Sequence, residues 1–241
     1  MNNIEIIIAR FNEDLNWTQE VPFNRFQYTV YNKGNNENFN KTNVKKIVNL
    51  DNVGRCDHTY LYHVIENHSN LANITVFFPG SLNLYYKKIK AQCILNNIIQ
   101  SKFSRAYFVG HYYPNIKEAF NNFKLDNWKT SDIKNLLLNN ESVLNKSEIR
   151  PYGNWYSHFF GNTQANWITF CGIFSIDKRD IIQNHVEHYK RLLETVNTHS
   201  NPEAGHYIER SWGAIFYPLN YTNKILLDVK KSTKKMTLQF K

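Results

Sequence analysis

The run Ile4-Glu5-Ile6-Ile7-Ile8-Ala9 constrains this chain most. It is apolar and β-branched, with Glu5 its only polar member. A short run of that kind without alternation reads as a strand covered on both faces. Such a strand needs helices above and below the sheet it belongs to. The remaining sequence supplies the alternation, with strands expected over 26–31, 45–50, 74–78, 106–109 and 167–176, and helices over 58–67, 84–100, 181–196 and 202–216. Strands that alternate with helices predict an α/β protein with a largely parallel central sheet. The 241 residues suit a single domain, and 42% hydrophobic residues give it core material. Residues 115–150, which contain Trp128 and Leu136-Leu137-Leu138, read as an insertion. Residues 230–241, centred on Lys234-Lys235, read as a basic peripheral tail.

The net charge of +9 fits phosphorylated ligands, anionic glycans or nucleic acid. The Lys, Ile and Asn usage of an AT-rich genome gives the same surplus. Cys56, Cys93 and Cys171 are few and far apart, which argues against a disulfide scaffold and for a reducing compartment. Met1 to Arg10 lacks the pattern of a signal peptide, and no window reaches the roughly 18–20 apolar residues of a membrane span. A cytoplasmic location is the expectation.

The segment from Asn201 to Phe216 reads as a helix with Pro202 at its first turn. Ile208, Trp212, Ile215 and Phe216 form one apolar stripe that should face a core. Glu209 lies off that stripe, with Gly205 and Gly213 four residues to either side and His206 three residues before it. Each glycine costs a helix about 1 kcal/mol relative to alanine. One reading is a general base on bare backbone at the floor of a pocket. The other is close helix packing over the glycines, with Glu209 paired to a basic side chain.

Polar residues gather where the first three strands end: Arg10, Asn12, Glu13 and Asp14; then Asn32 and Lys33; then Asn49, Asp51 and Arg55. In open α/β sheets the carboxyl ends of parallel strands hold ligands. Amides and carboxylates there can read a nucleoside, while Lys33 and Arg55 can hold phosphates. Neither G-x-G-x-x-G nor a P-loop occurs. Cys56, His58, His63 and His68 match no zinc spacing, and Asp57 reads as the N-cap of the helix that follows. The aromatic residues Tyr60, Tyr62, Tyr85, Tyr86, Trp155, Tyr156, Phe159 and Phe160 suit either a core or sugar stacking.

Three stretches resemble an uncharacterised family known as a domain of unknown function, whose members look like relatives of GT-A glycosyltransferases. They are Ile8 to Trp17, Val30 to Gly34, and Asn52-Val53-Gly54-Arg55 with Thr59 to Asn67. The sequence departs from that pattern at Cys56, where an acidic residue often follows Gly-Arg. Residues 165–179 are similar to a strand-to-helix passage of the core-2 β-1,6-N-acetylglucosaminyltransferase family. There a Pro-Asp-Glu-x-x-Trp-like motif follows, and its Glu is the catalytic base. Here Glu209-Arg210-Ser211-Trp212 keeps the Glu-x-x-Trp spacing, and Pro202-Glu203 offers a rival carboxylate.

The resemblance implies a single GT-A-like domain, a Rossmann-like and mostly parallel sheet flanked by helices. It implies inverting transfer of a sugar from a nucleotide sugar, uridine-linked by expectation, to a hydroxyl of a glycan or glycoprotein. Glu209 is the first candidate base and Glu203 the second. Arg10, Asn12, Glu13, Asp14, Lys33, Asn49, Asp51 and Arg55 are the candidate donor contacts. His206, Arg210, Trp155 and Trp212 are the candidate acceptor contacts. The chain lacks an Asp-x-Asp motif after its mid-sheet strand, where Phe77-Phe78 runs into Pro79-Gly80-Ser81. No cofactor is therefore expected, Mn²⁺ included, and basic side chains would neutralise the diphosphate. The rival readings are an inactive glycan- or nucleotide-binding module and a basic nucleic-acid-binding protein; nucleic acid is not the expected partner.

Overall fold

The computed structural model describes residues 4–128, 144–228 and 237–240. The Leu136-Leu137-Leu138 run and Lys234-Lys235 lie outside them. A five-stranded sheet has the order β3-β2-β1-β4-β7, with β1 Ile4–Arg10, β2 Tyr28–Asn32, β3 Val44–Asn49, β4 Ile74–Pro79 and β7 Phe174–Asp177. The first four strands are parallel, and β7 runs antiparallel against β4. The sheet is therefore mixed.

The apolar run of β1 has the expected cause. Ile7 points with Tyr31 and Phe77 into one core layer. Ile6 and Ile8 point with Tyr28, Val30, Val76 and Phe78 into the other. The first layer is covered by α1 (Arg55–Glu66), α6 (Val186–Glu194) and α7 (Glu203–Ile215). The second is covered by α2 (Tyr85–Gln100) and by Trp17 and Phe23 from short turns between β1 and β2. The α7 stripe of Ile208, Trp212, Ile215 and Phe216 is fully buried.

A second sheet has the order β6-β5-β8-β9, with β5 Tyr107–Tyr112, β6 Trp167–Ile168, β8 Asn223–Asp228 and β9 Thr237–Phe240. Part of the tail read as peripheral is thus a strand, paired antiparallel with β8. In the segment read as an insertion, Ile116–Ala119 forms the short α3. The aromatic run before Gly161 is the helix α4, Tyr152–Phe160.

Two long elements expected from the sequence are split. The strand over 167–176 is β6 and β7, which join different sheets. Between them Cys171 and Gly172 take positive φ, 68° and 60°. Lys90 of α2 is buried and donates to the Thr169 hydroxyl and the Phe170 carbonyl, which anchors this turn. The helix over 181–196 is α5 (Lys178–Ile182) and α6, because Gln183 and Asn184 turn to the carbonyls of Phe216, Pro218 and Ile215. Among the described residues no helix is long and apolar enough to cross a membrane.

Candidate functional site

The chain leaves β1 for β2 and β3 on one side, then crosses over to place β4 on the other. That reversal opens a crevice at the carboxyl ends of β1 and β4, where open α/β sheets bind ligands. A cleft of about 440 Å³ lies there. Ala9, Arg10 and Phe11 line it from the end of β1, and Pro79 and Ser81 from the end of β4. Lys33 follows β2; Arg55, Cys56 and Asp57 open α1; Leu84, Tyr86 and Lys87 open α2; Gly205, His206, Glu209 and Arg210 come from α7.

The start of α1 is built for this position. Gly54 is its N-cap at φ 59°, and a Cβ there would meet the Val196 carbonyl at 2.3 Å, so only glycine fits. Arg55 follows at φ 53°, a sparsely populated conformation for a side-chain-bearing residue. The Lys33 ammonium donates to the carbonyls of Val53 and Arg55 and holds the turn. Its burial lowers its pKa to about 7. Asp57 is consequently not a cap. It lies inside the first turn, 2% exposed, and accepts the Trp212 indole N–H at 3.0 Å. Burial, then the Glu209 carboxylate, raises its pKa to about 7.

Glu209 accepts the Cys171 N–H on Oε1 at 2.7 Å, so the positive-φ turn between β6 and β7 aims it. Its Oε2 lies 3.7 Å from Arg210, beyond hydrogen-bond range, and its side chain is 25% exposed. The two glycines beside it differ. A Cβ on Gly213 would meet the Trp167 carbonyl at 1.9 Å, which is close packing of α7 on β6. A Cβ on Gly205 would find nothing nearer than 3.7 Å, with Asp57 Oδ2 at 3.8 Å and Arg55 Cδ at 3.9 Å, so that glycine opens on the cleft. Close packing over a glycine is thus found at Gly213, and clearance beside one at Gly205.

Several other expected residues are also brought together here. The Arg210 guanidinium stacks on Phe123 at 3.8 Å and donates to the His206 carbonyl. Burial, then Arg55 and Arg210, lowers the His206 pKa to about 3, so its imidazole is neutral. Arg55 stacks on Trp128 at 4.3 Å. Glu13 takes the Phe11 N–H, and its burial raises its pKa. Arg10 lines the cleft but is largely committed to structure. It donates to the carbonyls of Glu13, Phe11 and Asn36 and to the Asn32 side chain, which ties the loops after β1 and β2 together. Arg10 Nη2, His206 Nε2 and Arg210 Nε are buried without a hydrogen-bond partner among the described residues.

Others lie elsewhere. Asn12 does not line the cleft and sits against Gly34. Asp14, Asn49 and Asp51 are exposed and outside it. Trp212 is core and meets the site through its bond to Asp57. Trp155 is buried beside a separate cavity of about 350 Å³. Glu203 is fully buried and saturated by the N–H groups of Leu125 and Ser147, the Tyr207 hydroxyl and Arg150. It has no place in the cleft.

Asp57, Ser81, Leu84, Lys87 and Cys171 are among the cleft residues to which the sequence reading gave no part in a site, and Tyr86 is one of the aromatic residues it offered for a core or for sugar stacking. Asp57 offered one signal, an acid two positions after Gly54-Arg55, where Cys56 replaces the expected one. The histidines of the 56–68 segment do not converge: His63 pairs with the Tyr31 hydroxyl and His68 with the Asn184 carbonyl. No group of three or more His, Cys, Asp or Glu among the described residues could hold a metal ion.

No curated protein and no solved structure matches the chain. Residues 6–224 match the family described as protein of unknown function (DUF3431), and the chain belongs to that family.

Proposed function

We propose that the cleft binds a nucleoside diphosphate sugar and that the protein transfers the sugar to a hydroxyl acceptor. The observation that carries this reading is the meeting of Arg55, Lys87 and Arg210 with the open carboxylate of Glu209 at the carboxyl ends of β1 and β4. The unpartnered nitrogens of Arg10, His206 and Arg210 support an anionic ligand with several oxygens. The N-terminal end of α1 adds a favourable dipole. Arg55, Lys87 and Arg210 would neutralise the diphosphate, the main electrostatic burden of this transfer. Lys33 positions the first turn of α1. Glu13 and the end of β1 would face the nucleoside.

In the step itself, Glu209 Oε2 takes the proton of the acceptor hydroxyl. The acceptor oxygen bonds to the anomeric carbon. The bond from that carbon to the diphosphate oxygen breaks, and its electron pair leaves with the nucleoside diphosphate. The family resemblance of the sequence implies inversion and turnover that survives EDTA.

The test is thermal unfolding with UDP and GDP. A ligand that binds the native state at a hundredfold excess over its Kd stabilises by about 2.7 kcal/mol. A shift of that order is expected for at least one nucleotide. Tight oligonucleotide binding with a steep salt slope, and no shift with either diphosphate, would replace this reading with nucleic-acid binding.

A further inference from the structure

Trp155 and Trp212, the rings expected to hold an acceptor, are 1% and 0% exposed. The exposed rings are at the start of α2. Leu84, Tyr85 and Tyr86 are consecutive and 43%, 73% and 52% exposed. Three large apolar side chains in water forgo stabilisation that burial would bring. Leu84 and Tyr86 also line the cleft. Polar groups accompany them: the Lys87 ammonium donates to the Ser81 hydroxyl at 2.7 Å, and both residues line the cleft.

Position favours an acceptor over a nucleobase. α2 packs on one face of the central sheet and α7 on the other, and both reach the cleft. Tyr86 and Glu209 line the same cleft, and burial, then Cys171 and Glu209, raises the pKa of the Tyr86 phenol. A pyranose ring has an apolar C–H face and a rim of hydroxyls. Stacked on Tyr86, it would keep that rim inside the cleft that Ser81 and Glu209 also line.

Resting on the transferase reading of this cleft, we infer that Leu84 and Tyr86 form the acceptor subsite and that the acceptor is a saccharide, held by stacking on the Tyr86 ring. The structure so joins a ring-binding wall from one side of the sheet to a carboxylate from the other.

The experiment has two readouts on the intact chain. Thermal unfolding with UDP and GDP reports the nucleotide site. Saturation-transfer NMR with methyl β-D-galactopyranoside and methyl N-acetyl-β-D-glucosaminide, with the stabilising nucleotide present, reports the saccharide site. Wild type should bind at least one glycoside. Tyr86→Ala should weaken it by about 2- to 10-fold, the worth of one ring contact. Tyr86→Phe keeps the ring and should stay within about twofold of wild type by the same reasoning. The nucleotide shift should be equal in all three proteins. A wild type that takes the nucleotide but no glycoside overturns the subsite and leaves the donor reading standing. A nucleotide shift lost in Tyr86→Ala and kept in Tyr86→Phe overturns it too, since the ring would then stack on the base. Absence of any nucleotide shift in wild type removes the donor reading and the subsite with it.

Discussion

Glu203 and Glu209 occupy one helix and one sequence reading, yet α7 gives them opposite surroundings. Glu203, in the first turn, is closed in by donors from two distant segments, Leu125 from one and Ser147 and Arg150 from the other. Burial alone would push its pKa up, but those hydrogen bonds and the Tyr207 hydroxyl bring it below the ordinary carboxylate range. Glu209, in the middle of the helix, has one backbone N–H on one oxygen and open space by the other. A carboxylate whose lone pairs are all taken staples the fold. One with an oxygen left over can take a proton. Saturation, more than burial or residue type, separates the two.

The largest expected effect tests the Glu209 side. Glu209→Gln keeps the shape and removes the base. On the transferase reading, kcat should fall by about 10²–10⁴-fold, the usual worth of a positioned general base. Melting temperature and nucleotide binding should hardly move. A folded Gln variant with near-native turnover would remove the distinction between the two carboxylates as far as chemistry goes.

Asp57 sharpens the comparison, because it faces Glu209 and not Glu203. Its folded pKa of about 7 lies above the unfolded value of about 3.9. The native state thus binds the extra proton, and stability should fall as pH rises from about 4 through 7. Three units correspond to roughly 4 kcal/mol. Asp57→Asn should flatten that part of the stability profile while keeping an acceptor for the Trp212 N–H. Urea unfolding across this pH range measures it; an unchanged slope would place the titration elsewhere.

On the other side, Glu203→Gln should leave kcat near native while stability at neutral pH falls by about 1–3 kcal/mol. The Leu125 N–H bonds Oε1 and the Ser147 N–H bonds Oε2, so whichever way the amide is turned its NH₂ meets one of them, donor against donor. The folded pKa of Glu203 is depressed, so its contribution is present above the unfolded value of about 4.3 and lost as pH falls through the folded one. The gap between variant and wild type should therefore close in acid. A constant gap would mean that packing, not charge, is lost.

The sequence carried much of this fold but little of the distinction. β1, β4 and the α7 stripe were legible because their apolar period reflects burial directly. Glu203 and Glu209 are roughly 120° apart around the helix, which says that their surroundings differ but not how. The donors that close on Glu203 come from segments far away in sequence. Asp57 was mistaken for a cap because the start of α1 depends on Gly54 meeting Val196 and on Lys33 reaching across from the end of β2. The break within 167–176 was hidden because both halves are apolar, and nothing in the sequence marks Lys90 as the buried partner of that turn. Arg10 sits at a strand end where ligands bind, yet most of its donors serve neighbouring loops. Periodicity reports which face is inside; it does not report which distant backbone a polar atom will meet.

The smallest effects come from the two glycines, and they probe the space around Glu209 directly. Gly213→Ala puts a Cβ at 1.9 Å from the Trp167 carbonyl, a backbone atom on a paired strand that cannot swing aside. Overpacking of this kind should cost about 1–3 kcal/mol by forcing α7 away from β6. Gly205→Ala meets only ordinary contacts, the nearest at 3.7 Å. The gain in helix propensity should then raise stability by up to about 1 kcal/mol. The new methyl would stand beside Asp57 Oδ2 and Arg55 Cδ, inside the cleft, so the stabilised variant should bind the nucleotide diphosphate less well. Stability and ligand affinity moving in opposite directions at Gly205, with stability alone falling at Gly213, would mark the open flank of Glu209. If Gly205→Ala left the nucleotide shift untouched, the ligand would have to lie on the far side of the cleft, toward Glu13, and the glycine would be a feature of the helix turn alone.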